Sequence, residues 1–123
     1  MIIGTGVDIT ETERIAHAMQ KSGFLSRCFS EDELVLFKLK NNNVQTVSAN
    51  FCAKEAFAKA LGTGVRGFNL CDISVLRDDL GKPYITVSER VAKILADIGV
   101  NNIFVSLSHC EHYAVAQVIL EKQ

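Results

Sequence analysis

Ile3, Thr5, Val7 and Ile9 alternate with Gly4, Gly6 and Asp8, and this period of two predicts a strand from Ile2 to Ile9. One face is β-branched throughout. The other sets Asp8 beside two residues without side chains, an arrangement that either leaves room for a ligand or metal or marks close backbone packing. Thr10-Glu11-Thr12-Glu13 then matches a capping box, predicting a helix to about Lys21 with Ile15, Ala18 and Met19 inward and Arg14, His17 and Lys21 outward. Ser30-Glu31-Asp32-Glu33 repeats the signature ahead of Leu34, Leu36, Phe37 and Leu39. The polar run Asn41-Asn42-Asn43 separates these short helices from a long one, predicted from about Ser48 to Leu61 and stopped by Gly62.

Beyond the long helix the period returns to two. Runs at Cys71–Leu76 and Tyr84–Val87 flank the turn-rich Asp78-Asp79-Leu80-Gly81-Lys82-Pro83 and predict a hairpin. Ser88 caps a helix carrying Val91, Ile94, Leu95 and Ile98 as far as Gly99, and strands at Ile103–Ser108 and Tyr113–Leu120 follow. A strand, helices, then mostly strands with one more helix favour an α+β fold: one compact domain over residues 1–123 with an antiparallel sheet and a long central helix.

Composition narrows the function classes. With 13 basic and 14 acidic residues the net charge is -1, so no global pull toward nucleic acid or an anionic membrane is expected and any basic site is local. No apolar run approaches the roughly 18 residues of a membrane span, and no secretory pattern directs the chain out of the cytoplasm. Cys28, Cys52, Cys71 and Cys110 are widely spread and read as reduced thiols. His109-Cys110-Glu111-His112 has a superficial likeness to a zinc site, but no paired cysteine spacing supplies the remaining ligands.

Several residues could carry chemistry. Glu55 and Lys59 lie one turn apart on one helix face, a spacing that also fits an exposed ion pair, and Lys54 could equally solvate the helix. The loop Gly62-Thr63-Gly64-Val65-Arg66-Gly67 is glycine-rich and partly basic, suited to close approach by a phosphate, although it ends a helix and is no P-loop. Asp8 could cap the following helix, and His109 could close its strand through a hydrogen bond. Ser106 and Ser108 come without a recognisable base and acid, so no hydrolytic triad emerges.

Taken together, Gly4-Thr5-Gly6-Val7-Asp8-Ile9, the run from Ala53-Lys54-Glu55-Ala56 through Lys59 to Gly62-Thr63-Gly64, Gly81-Lys82-Pro83, and Ser106-Leu107-Ser108-His109 with Tyr113-Ala114 resemble the holo-acyl-carrier-protein synthases, the short single-lobe phosphopantetheinyl transferases. The resemblance spans nearly the whole chain in order. It implies transfer of 4′-phosphopantetheine from coenzyme A to a serine of apo acyl carrier protein, with release of adenosine 3′,5′-bisphosphate, in support of fatty acid biosynthesis. By the same resemblance Asp8 and Glu55 hold Mg²⁺ and Lys59 faces the pyrophosphate. Lys54, Lys59, Gly62, Gly64, Pro83, Ser108 and His109 contact the coenzyme, while Arg14, Lys21 and Arg27 meet the acidic carrier protein. A homotrimer with active sites between subunits is also implied, and the general base is left open between Glu55 and a metal-bound water. The chain departs from the family pattern at Asn50, where arginine is common, in the weakly basic stretch Asn41–Val47, and at Cys110-Glu111-His112. A carrier-binding module without catalysis is the competing class, and it has no use for Asp8, Glu55 and Lys59 together; a small nucleotide-binding protein is a weaker third reading.

Overall fold

The computed structural model describes residues 1–123. The elements run β1 (Ile2–Glu11), α1 (Thr12–Met19), α2 (Phe24–Cys28), α3 (Glu31–Leu39), α4 (Val44–Leu61), a single 3-10 turn (Leu70–Asp72), β2 (Ile73–Arg77), β3 (Pro83–Val87), α5 (Glu89–Asp97), β4 (Asn102–His109) and β5 (Tyr113–Glu121). Strands β1, β5 and β4 form one antiparallel sheet in that order, and β2 with β3 forms a separate hairpin. The α+β arrangement with antiparallel sheets is therefore as the alternation of patterns predicts.

Helix α4 lies across the inner face of the three-stranded sheet. The alternation that makes Ala114, Ala116, Val118 and Leu120 fully buried turns them toward Ala53, Ala56, Phe57 and Ala60. Gly4 and Gly6 share that inward face, and their role is close packing rather than ligand space. A Cβ on Gly4 would collide with the carbonyl oxygen of Ala60, and one on Gly6 with that of Ala56 and with Ala60 N at 2.7 Å. Small residues on both surfaces thus bring the α4 backbone against β1, and this fixes where Asp8 lies relative to the helix. A second core of Ile15, Phe24, Phe29, Phe37 and Val47 joins α1, α2 and α3 to the start of α4, with Phe29 and Phe37 edge to face at 4.9 Å.

Three boundaries differ from the periodicity. Strand β1 runs on to Glu11 because Thr10 pairs with Ala114 and Glu11 with Tyr113, so the capping box expected at Thr10 does not form. Helix α2 was not predicted; it begins after Gly23, whose φ of 83° permits the reversal out of α1. Helix α4 starts at Val44 because Asn43 caps it, its Oδ1 accepting from Gln45 N at 2.9 Å and Thr46 N at 3.2 Å. The Ser30–Glu33 capping box and the Ser88 cap form as predicted.

Candidate active site

Asp8 projects from the inner face of β1 into a compact polar cluster. Thr10, two residues on and so on the same face, donates from Oγ1 to Asp8 Oδ2 at 3.0 Å, while Lys59 Nζ donates to Oδ1 at 3.0 Å and to the Val7 carbonyl at 3.1 Å. From α4, the Cys52 thiol donates to the Asp8 carbonyl oxygen at 3.1 Å. The ion pair that helical spacing suggested between Glu55 and Lys59 is absent; Lys59 pairs with Asp8 across the strand–helix contact.

Glu55 has no ion-pair or hydrogen-bond partner of its own, and it lines a cavity of about 330 Å³ together with Asp8, Thr10, Arg14, Phe24 and Phe51. Burial holds its carboxyl above the usual range and the Asp8 charge adds to this, with Lys59 opposing. The hydrogen bond to Asp8, and then the Asp8 charge, raise the Lys59 ammonium. Burial pushes the Cys52 thiol up to about 11, so it acts here as a neutral donor. Two carboxylates that share a cavity, the charge of Asp8 raising the proton affinity of Glu55, suit a hard divalent cation, which would relieve their repulsion. Nowhere do three or more His, Cys, Asp or Glu side chains converge, so a cation here would have two protein ligands and leave positions for water and substrate.

Lys54 requires a correction. It is 0 % exposed, and its Nζ donates to Glu33 Oε1 and to the carbonyls of Cys28 at 2.8 Å, Leu70 at 2.9 Å and Ile73 at 2.6 Å, 4.9 Å above the Phe29 ring. An ammonium so enclosed contacts no coenzyme and solvates no helix. It ties α2, α3, the 3-10 turn and β2 to α4.

Pro83 and His109 line a second cavity, of about 540 Å³, with Lys40 and Arg77. Ser108 does not join them. The strand alternation places it, exposed, on the outer face of the sheet opposite Val115. Gly62 and Gly64 adopt φ of 81° and 70° with open space around them, and neither lines either of these two cavities. Their glycine character answers a backbone requirement, Gly62 as the left-handed cap of α4. Arg14 borders the first cavity and shares a shallow surface depression with Lys21, while Arg27 lies exposed on the last turn of α2. Asn50 is fully buried: its amide donates to Glu33 Oε2 and Val75 O, both at 2.9 Å, and its Oδ1 accepts from Arg77 Nη2 at 2.8 Å. Thr10 could have been found by extending the period of two; the Asn50–Arg77 contact joins residues 27 apart and leaves no local signal.

The profile of the 4′-phosphopantetheinyl transferase superfamily matches residues 4–118. A holo-(acyl-carrier-protein) synthase of Clostridium botulinum (strain Alaska E43 / Type E3) is 48% identical over 98% of both chains. Among solved structures, the holo-(acyl-carrier-protein) synthase from Neisseria meningitidis superposes with a TM-score of 0.92 at 37% identity, covering 99% of this chain and 100% of that one. The Bacillus anthracis str. Ames enzyme, solved in complex with CoA (3′,5′-ADP), gives 0.84 at 35% identity over 100% and 99%.

Proposed function

The chain belongs to the holo-acyl-carrier-protein synthases of the 4′-phosphopantetheinyl transferase superfamily, and on that premise we propose that it transfers 4′-phosphopantetheine from coenzyme A to a serine of apo acyl carrier protein in an Mg²⁺-dependent reaction supporting fatty acid biosynthesis. The observation that carries the reading is the meeting of Asp8 and Glu55 at one cavity bordered by Arg14, with Lys59 paired to Asp8 beside it. A binding module would not need that charge arrangement.

The carrier serine oxygen bonds to the β-phosphorus of coenzyme A as the bond to adenosine 3′,5′-bisphosphate breaks. Asp8 and Glu55 hold the Mg²⁺, which supplies Lewis-acid charge to the pyrophosphate. Lys59 has a side chain 57% exposed, so its ammonium is free to turn from Asp8 to a pyrophosphate oxygen and offset charge on the leaving group. The serine proton passes to Glu55 or to a neighbouring water. Pro83 and His109 hold the nucleotide end of the coenzyme in the second cavity. Arg14, Lys21 and Arg27 form the local basic surface that steers an acidic carrier helix into register.

Assembly completes the site. Val7, Ile9, Phe104, Tyr113 and Val115 are all exposed on the outer face of the β1-β5-β4 sheet, an apolar surface suited to covering by copies of the chain in a homotrimer. Ser108 lies on that face, so its coenzyme contact, like that of the open Gly62–Gly64 loop, is one made across a subunit boundary. The working compartment is the cytoplasm, in keeping with four free cysteines. No helix is long and apolar enough to cross a membrane.

The deciding experiment incubates the protein with coenzyme A, apo acyl carrier protein and Mg²⁺ and weighs the carrier by mass spectrometry. We expect addition of one phosphopantetheine, abolished by chelation of the metal and by Asp8→Ala or Glu55→Ala. Absence of addition across a range of carriers would reject the transferase reading, and full magnesium-dependent activity of Asp8→Ala would reject the metal assignment.

A further inference from the structure

The two carboxylate oxygens of Asp8 are held differently. Oδ1 takes its hydrogen bond from Lys59, whose side chain is 57% exposed and leaves when it turns to the pyrophosphate. Oδ2 takes its hydrogen bond from Thr10 at 3.0 Å, and Thr10 is 7% exposed, borders the first cavity and is fixed opposite Ala114 in the β1–β5 ladder. A β-branched side chain on a paired strand has little χ1 freedom, so this hydroxyl stays where it is. Cys52 does not replace it. Its sulfur is 3.5 Å from Oδ2, but a thiol has one proton, and here that proton goes to the Asp8 carbonyl oxygen at 3.1 Å. Once Lys59 has turned away, Thr10 is the donor that still orients the carboxylate.

We propose that Thr10 is a positioning residue of the metal site: its hydroxyl holds Asp8 Oδ2, leaves Oδ1 as the oxygen that Asp8 offers, and so favours Mg²⁺ over Ca²⁺. The inference rests on the transferase reading and deepens its metal assignment. A carboxylate with one oxygen engaged is weighted toward binding a cation through the other. Single-oxygen ligation suits Mg²⁺, which is small, octahedral and keeps several waters, whereas the larger Ca²⁺ also accepts both oxygens of one carboxylate. Hydrogen bonds that orient a metal ligand from behind commonly change affinity by roughly tenfold or more.

The test counts bound Mn²⁺ by electron paramagnetic resonance with coenzyme A present, taking coenzyme A alone as the blank, and displaces it with Mg²⁺ or Ca²⁺. The proteins are the wild type, Thr10→Val and Thr10→Ser. Valine keeps the shape and removes the hydroxyl, while serine keeps the hydroxyl and removes the methyl group. Thr10→Val should weaken Mg²⁺ by about tenfold and Ca²⁺ by less than about threefold, so that the preference between them falls. Thr10→Ser should keep the wild-type preference, which a role in packing alone would not produce. Equal weakening of both cations by Thr10→Val, or of neither, overturns the proposal, as does a serine variant that behaves like the valine one. Thr10→Ala, which adds no methyl group beside Asp8, takes the place of valine if that variant does not fold. A wild type that binds no Mn²⁺ beyond the blank fails the metal assignment itself, an outcome distinct from a wild type that binds it and is indifferent to the Thr10 hydroxyl.

Discussion

Lys54 on α4 and Asp8 on the strand packed against it are both charged, yet they have opposite fates. Lys54 exchanges water for four acceptors, so its charge is compensated only while Glu33 and the carbonyls of Cys28, Leu70 and Ile73 remain in place. Lys54→Met would strand the Glu33 carboxylate in the interior and should cost about 3–5 kcal/mol in urea denaturation. Adding Glu33→Gln should restore part of that loss, and a double mutant as unstable as the two single losses summed would exclude coupling. Cys52 offers a second check at this scale. The thiolate is the reactive form, so a thiol held up to about 11 should resist iodoacetamide at about pH 8 while exposed Cys110 is alkylated, a contrast read by peptide mass mapping. Asp8, Glu55 and Lys59 stood out in the sequence because strand alternation, helical spacing and the motif around them are local. The burial of Lys54 was hidden because the groups that enclose it lie 16 to 26 residues away, on elements whose docking no periodicity reports.

At the scale of elements, the contact of β1 with α4 decides the site geometry. Gly6 faces the Ala56 carbonyl with no space for a methyl group, so Gly6→Ala should push strand and helix apart, lower stability by roughly 3 kcal/mol in denaturant unfolding, and reduce transfer by displacing Asp8 from Lys59. An alanine variant with wild-type stability would mean that the two backbones do not approach so closely. The sequence offered two readings of these glycines, and only the position of α4 separates them. The hairpin, α5 and the last two strands were predictable because turn residues and caps at Gly81, Ser88 and Gly99 punctuate clear periodicities. The start of α1 was misplaced because Thr10 satisfies the ladder and Asp8 instead of a helix end. Short α2 went unseen because five residues are too few for a helical period to register.

For the whole molecule, the same sheet alternation that fills the core leaves its outer surface apolar. Ile9 and Val115 are opposite one another in the β1–β5 ladder and are 64% and 38% exposed, with Val7 at 59% and Phe104 at 52% on the same face. A monomer gains nothing from such a face, whereas covering it returns roughly 25 cal/mol for each Å² of apolar surface removed from water. If copies of the chain cover it, a charge at its centre has to be desolvated on assembly. Val115→Glu should therefore leave the circular dichroism of the subunit intact but shift sedimentation from trimer to monomer. Because the proposed coenzyme contacts from Ser108 and the Gly62–Gly64 loop cross the boundary, the dissociated variant should also lose most of its transfer activity, although its Asp8, Glu55 and Lys59 are untouched. A wild type that sediments as a monomer at micromolar concentration while fully active would remove both the assembly and the shared site.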